Sequence, residues 1–271
     1  MLSTPDTASL PTYYFKRTSE STLVATTHTG GAWNTDEQHI APALGLATHI
    51  VEQHRMRRHG DAMSTGRLSF DILGTMPVGE IEASLRVLRP GNTIELVEAT
   101  LGHAGRAALV ARAWLIRKYD TAPLAHTHFP ALSPREELPA WDPTTVWPGG
   151  FIASAEVRRH RVDAGRAMFW VRTPVALVAN EDSTPLARAI GLLDIANGMT
   201  ERLEPAEILF PNLDLTAHMF AEPDGEWIGF DTTVSIGADG IGLTHSIIHD
   251  HRGPIGTSSQ ILTVRPMGKT R

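Results

Sequence analysis

The sequence predicts an α+β protein in which one fold occurs twice, each copy a curved antiparallel sheet wrapped around a central helix. Three observations lead there. First, motifs recur: Gly45-Leu46 follows an apolar helical run, and Gly191-Leu192 does the same 146 positions later. Pro77-Val78-Gly79-Glu80 and Pro223-Asp224-Gly225-Glu226 end strand-like stretches at the same offset, and 108–117 matches 256–265 at an offset of 148. A longer hairpin in the second half accounts for the two extra residues. Second, each half reads as strands, one helix, then a run of antiparallel strands, and one helix covers only one face of a sheet unless the sheet curves around it. Third, Leu192, Leu193, Ile195 and Ala196 make the second helix apolar on more than one side, as in a wrapped helix. A unit this long exceeds any solenoid repeat and reads as a duplicated domain. The division is a first lobe over 1–120, a proline-rich linker over 121–149 and a second lobe over 150–271. Binding sites favour the seams between such units.

In the first lobe, Thr12–Lys16 and Ser21–Thr27 are strand candidates, and Gly30-Gly31 ends the run. A helix is expected over 37–54, where Ile40, Leu44, Ala47 and Val51 form one apolar stripe at helical spacing. Thr35 or Asp36 is the expected cap, because a side-chain oxygen there can accept the first-turn amides. Pro42 leaves the start open, since proline suits only the first turn. Strands follow over 66–76, 80–89, 93–102 and 106–118, the last two joined by the turn Gly102-His103-Ala104-Gly105. Between the lobes, Pro123, Pro130, Pro134, Pro139, Pro143 and Pro148 remove donors and fix φ, which predicts an extended segment laid along the surface.

The second lobe repeats this order. Strands are expected over 151–161 and 167–178, turned at Asp163-Ala164-Gly165. The helix is expected over 185–197, with Pro185 in its first turn, Ser183 or Thr184 as cap and Gly198 as the stop. Four closing strands cover 212–220, 226–236, 242–249 and 254–265, with turns at Asp239-Gly240 and His251-Arg252-Gly253.

Composition narrows the function. Each half of the 271 residues is long enough for its own core. The net charge of -6 argues against non-specific binding to nucleic acid, which needs a basic surface. No apolar run reaches the length of a membrane span. The start, Met1-Leu2-Ser3-Thr4-Pro5-Asp6, lacks the basic and apolar regions of a signal peptide, so a cytoplasmic location is expected. Cysteine is absent, which removes disulfides, thiolate ligands and a cysteine nucleophile. No metal is expected: His245 and His249 read as strand residues, and His126 and His128 fall in the linker. Gly237–Gly242 lies between strands and reads as a hairpin rather than a dinucleotide loop, and no Gly-x-Ser-x-Gly elbow occurs. Two basic clusters, Arg55–Arg58 and Arg158–Arg161, have the residue type for phosphate but read as solvated faces.

Several stretches carry a family resemblance. They are Arg67-Leu68-Ser69-Phe70-Asp71-Ile72 with Met76-Pro77-Val78-Gly79; Pro185-Leu186-Ala187-Arg188 with Leu193-Asp194; and Asn212-Leu213-Asp214-Leu215-Thr216. The closing match is Asp250–Gly256 with Ser258-Ser259-Gln260. In order and spacing the chain resembles the TesB-like acyl-CoA thioesterases, which have a double hot-dog fold. The resemblance covers most of both halves and fails in the linker. It implies hydrolysis of an acyl thioester to free acid and CoA, with an acyl-CoA substrate and no cofactor; the strand edges and open sheet face that such a unit leaves predict a homodimer. It also implies an Asp, a Thr or Ser, and a Gln as catalytic residues, which fall on Asp194, Asn212 and Gln260. Asn212 departs from the pattern, because an amide offers no hydroxyl. Thr216 and Thr232 are neighbouring hydroxyls that could substitute.

In the implied chemistry Asp194 activates water, Gln260 and Asn212 hold it, and a helix amide binds the developing oxyanion. Apolar neighbours of Asp194 disfavour its charged form, so a raised pKa is expected. Thr48 and Arg112 occupy the matching first-half positions, so the second half supplies the chemistry. Two rival readings are a double hot-dog protein that binds an acyl thioester or another apolar ligand without cleaving it, and an enoyl-CoA hydratase. The hydratase ranks last, because no Asp-x-x-x-x-His arrangement follows a central helix.

Overall fold

The computed structural model describes residues 12–203 and 205–267. The signal-peptide reading of Met1–Asp6 and the outer ends of both expected lobes lie outside these residues. The first lobe opens with β1 (Tyr13–Arg17) and β2 (Thr22–Ala25), then helix α1 (Ile40–His59). Strands β3 (Met63–Ile72), β4 (Glu80–Arg89), β5 (Ile94–His103) and β6 (Arg106–Arg117) follow. The linker contributes β7 (Ala140–Trp141), and the short helix α2 (Gly150–Ala153) begins the second lobe. Next come β8 (Glu156–Asp163), β9 (Arg166–Arg172), β10 (Ala176–Val178) and α3 (Pro185–Ile190). The two-residue β11 (Ile208–Leu209) precedes β12 (Asp214–Met219), β13 (Ile228–Ile236), β14 (Ile241–Asp250) and β15 (Gly253–Thr263), and β16 (Arg265–Pro266) pairs back onto β11.

The expected pair of sheets is joined into one. The order is β10-β1-β2-β4-β5-β6-β3-β12-β15-β14-β13-β9-β8-β7, fourteen strands in all. The join is the antiparallel pair β3–β12, with Ser69 opposite Thr216. This pairing satisfies edge donors and acceptors that β3 and β12 would otherwise leave open. Leu68, Phe70, Leu215 and Ala217 point from the join into the core.

The helices meet where the repeat motif predicted equivalence. A Cβ on Gly45 would lie 2.9 Å from the Gly191 Cα, so only glycine allows this backbone approach. Helix α3 ends at Gly191, and Asp194 sits in a separate 3-10 turn, Leu193–Ile195, rather than on a continuous helix over 185–197. Glycine at the crossing is a poor helix former, and the chain turns there. Thr184 caps α3, its hydroxyl oxygen accepting from the Ala187 amide at 3.2 Å.

Other boundaries moved for local reasons. Helix α1 starts at Ile40, which leaves Pro42 in the first turn, and its cap is His39 instead of Thr35 or Asp36. The helix runs on to His59, so Arg57, Arg58 and His59 lie in its last turn, where cations suit the dipole. The expected strand 167–178 breaks around Thr173-Pro174, and β10 crosses to pair in parallel with β1 of the other lobe. Residues 151–153 are helical because Gly150 packs against the Gly30 loop: a Cβ there would fall 2.0 Å from the Thr27 carbonyl oxygen.

The linker is extended, yet anchored. Trp147 is buried and donates to the Gly198 carbonyl, and Trp170 donates to the Ser133 carbonyl. The basic clusters are exposed at Arg57, Arg58, His160 and Arg161, as a solvated face requires, but each has one buried member. Arg55 forms a buried pair with Glu52 and caps the carbonyls of Gly60 and Met63. Arg159 pairs with buried Glu201 and lies over the Trp141 ring. Both are held by protein groups and are not available as phosphate clamps.

Candidate active site

Two segments bring the site together. The stretch before β12 is stitched to the end of β15: Asn212 bridges Leu262, the Thr263 amide donates to the Pro211 carbonyl, and the Ile261 amide donates to an Asp214 carboxylate oxygen. Asn212 therefore lies beside Gln260, whose side chain faces the core from β15 between buried Ser258 and Leu262. The turn carrying Asp194 packs onto the same face. Asn212 Nδ2 donates to Asp194 Oδ1 at 2.6 Å, and Gln260 Nε2 donates to the same oxygen at 2.9 Å. The three expected residues thus converge on one carboxylate oxygen. Asp194 is only 4 % exposed, between buried Leu193 and Ile195. Burial pushes its carboxyl up to about 7, against the opposing pull of the Asn212 amide.

The substitute hydroxyls do not reach it. Thr216 alternates with buried Leu215 and Ala217 and faces the opposite side of the sheet. Thr232 is bonded to Ser246 at 2.8 Å. The first-half comparison also changes in one detail. Arg112 is flanked by buried Ala111 and Ala113 and points outward, where it pairs with Glu98, so it is not the counterpart of core-facing Gln260. The offset of 148 is one residue out of register there, and one residue flips the face. Thr48 is buried and donates to the Leu44 carbonyl. The first half lacks both acid and amide at this level.

Asp194 lines a cleft of about 350 Å³ together with His39, Asn197 and Asn212. Its apolar wall comes from Trp33, Ile40, Ile72, Leu73, Met76 and Leu213. A smaller space of about 20 Å³, lined by Trp147, Phe210 and Met199, also touches Asp194. Trp33 lines both spaces. It is 48 % exposed, and its ring meets Trp147 and Phe210 edge-on at 5.0 and 5.4 Å between centroids. The α1 N-terminus opens on the same cleft through His39 and Ile40. His39 Nδ1 accepts from the Ala41 amide at 3.1 Å and lies 3.8 Å from Asp194 Oδ2. Burial pushes this imidazole down to about 4, so it is neutral near pH 7 and forms no ion pair with Asp194. A larger groove of about 800 Å³ around Trp141, Trp227 and Arg172 contains none of these residues.

Sequence reasoning missed Trp33, His39, Asn197 and Phe210. The nearest signal was Gly30-Gly31, which marks a tight loop entering α1. A Cβ on Gly31 would lie 3.0 Å from the His39 backbone nitrogen, so this glycine sets how closely the loop approaches the helix start.

The family model for the acyl-CoA thioesterase C-terminal domain matches residues 126–264, and that for the N-terminal domain matches 29–116. The chain belongs to the acyl-CoA thioesterase family. Its members are thioester hydrolases, and the TesB-like resemblance stands. Among solved structures, the acyl-CoA thioesterase II TesB2 of Mycobacterium marinum is 14% identical, with a TM-score of 0.65 over 96% of this chain and 98% of that one. A hot-dog protein of unknown function from Alicyclobacillus acidocaldarius is 12% identical, with a TM-score of 0.71 over 92% and 95%. The TesB protein of Mycobacterium avium subspecies paratuberculosis is 13% identical, with a TM-score of 0.62 over 93% and 96%. At these identities the structural likeness speaks for the hot-dog fold alone. Among curated protein sequences none matches this thioesterase-family chain. No helix among its described residues is long and apolar enough to cross a membrane.

Proposed function

We propose that the chain is a double hot-dog acyl-CoA thioesterase in which Asp194 activates the attacking water. The observation that carries this reading is the carboxylate's asymmetry. Oδ1 holds both amide donors, Asn212 and Gln260, while Oδ2 holds none. Oδ2 is then the oxygen that takes a proton from water as the water oxygen bonds to the thioester carbonyl carbon. Gln260 Oε1, buried without a protein partner, is the acceptor for the second proton of that water. In the first turn of α1 the Ala41 amide is taken by His39 and Pro42 has no N–H, so the Ile40 amide, at the cleft and at the positive end of the helix dipole, is the donor that suits the developing oxyanion. Collapse expels the CoA thiolate, which takes the proton held by Asp194 and leaves free acid and thiol.

Asn212 in place of a hydroxyl fits this role, because its amide donates to the carboxylate as Gln260 does. The first lobe then spans 1–120, the linker 121–149 and the catalytic lobe 150–271. The same reading places the protein in the cytoplasm as a homodimer, with exposed Ile241, Leu243 and Ile261 offering apolar outer-face surface to a second copy. The test is thiol release from a panel of acyl-CoAs differing in chain length. Turnover is expected with at least one; binding without thiol release across the panel would favour the non-catalytic reading.

The small space beside Asp194 predicts a limit on the acyl chain. Trp33→Ala widens it and joins it to the cleft along Trp147, Ile152, Ile195 and Met199. The expected result is a shift of the kcat/KM optimum toward longer chains, on the order of tenfold per well-filled pair of methylenes. An unchanged chain-length profile would place the acyl group elsewhere in the cleft.

A further inference from the structure

His39 joins the two working parts of the site and has no role in the mechanism so far. Its Nδ1 accepts the Ala41 amide, so that nitrogen carries no proton and the ring's N–H is on Nε2. The same nitrogen faces Asp194 Oδ2 at 3.8 Å, one acceptor toward another. The ring plane is held by Phe151, 4.4 Å away between centroids and tilted by 37°. Phe151 is itself fixed from the second lobe, its amide donating to the Gly30 carbonyl at 3.1 Å. The remaining groups around the carboxylate are Asn212 and Gln260, both on Oδ1, and Glu37 on the cleft wall. Among the described residues no lysine or arginine pairs with Asp194.

We propose that His39 is a positioning residue of this active site: its neutral imidazole caps α1 and leaves Asp194 Oδ2 without a donor, so that Oδ2 stays the basic oxygen. The proposal rests on the thioesterase mechanism above and deepens it. One nitrogen does two things. By accepting from Ala41 it fixes the first turn of α1, where the oxyanion is bound. By lacking a proton it withholds the hydrogen bond that would stabilise the charged carboxylate and weaken it as a base. The Nε2–H tautomer follows from the cap. Burial, which pushes the imidazole down to about 4, keeps the ring from charging over the working pH range.

The experiment uses the full chain labelled with ¹⁵N-histidine, with His39→Asn identifying the signal. The expected result is an Nε2–H tautomer for His39 that does not titrate between about pH 5.5 and pH 8. A proton on Nδ1, or titration within that range, would overturn the proposal. A kinetic arm separates this from a purely structural role. His39→Asn retains an oxygen for the Ala41 amide but brings an N–H beside Asp194 Oδ2, so it should fold as wild type does while moving the acid limb of kcat/KM to lower pH by about one unit, whereas His39→Ala, which loses the cap but adds no donor, should lower kcat about tenfold with the limb left in place. An acid limb at the same pH in both variants, with both still folded, would overturn it as well. If wild-type protein releases no thiol from any acyl-CoA, the mechanism fails, while the tautomer measurement still decides the state of His39.

Discussion

Asp194→Asn should give a protein that folds, is more stable than wild type at pH 8, and has lost about three orders of magnitude in kcat, the typical contribution of a general base. The geometry makes the substitution nearly isosteric. The Asn oxygen can still accept from Asn212 and Gln260, as Oδ1 does now at 2.6 and 2.9 Å. Its amide nitrogen would face His39 Nδ1, which lies 3.8 Å from the present Oδ2. Only the ability to take a proton disappears. The stability gain follows from linkage. The folded-state pKa of Asp194 is raised from 3.8 to about 7, so the folded protein binds a proton that the unfolded chain has released. This contribution is present in full below the unfolded pKa of 3.8 and is lost as pH rises toward 7. Above pH 7 wild type therefore carries a cost on the order of 4 kcal/mol that the Asn variant does not. Thermal melts from pH 5 to pH 9 check it: the two curves should separate as pH rises and run parallel above about pH 8. The kcat/KM of wild type should rise over the same interval, with an acid limb near pH 7, because the base must be ionised. A variant with full turnover would remove Asp194 from the chemistry; one less stable than wild type at pH 8 would show that the carboxylate is not strained by burial.

Gly45→Val should cost on the order of 3 kcal/mol of stability, at the upper end for overpacking because backbone is what the new side chain meets. Its Cβ would lie 2.9 Å from the Gly191 Cα and 3.1 Å from the Ala187 carbonyl oxygen. A backbone cannot change rotamer to make room, so α1 and α3 must separate. Asp194 lies three residues beyond Gly191, and its distance from Asn212 and Gln260 depends on that packing. A fall in melting temperature on the order of 10 °C is expected, together with lower kcat. An unchanged melting temperature would mean that the helices do not cross at these glycines.

Much of the architecture was legible because it rests on local chemistry. Alternating strands, turns at Gly105, Gly165 and Gly240 with positive φ, and the Thr184 cap all follow from patterns a few residues long. Asp194, Asn212 and Gln260 were legible only through the family resemblance; no local pattern distinguishes an Asp or Gln at those positions from a surface residue. The failures share a different cause. The second helix breaks at Gly191, where the chain crosses Gly45 from 146 residues earlier. The His39 cap depends on Pro42 and on Phe151 across the lobes. The solvated reading of Arg55 and Arg159 failed because burial depends on which partners the fold supplies, here Glu52 and Glu201. The matching of Arg112 with Gln260 failed by a single residue, since strand alternation makes an odd offset face the core where an even one faces away.

By itself the sequence determined much of the strand and turn pattern and the absence of cysteine chemistry, because each depends on residue type and near-neighbour spacing. Tertiary structure alone decided that two expected sheets are one, that Trp33 lines both the cleft and the small space beside the carboxylate, and that Oδ1 and Oδ2 of Asp194 have different partners. Those facts are distances between segments far apart in the chain, and they are set by packing that no local pattern encodes.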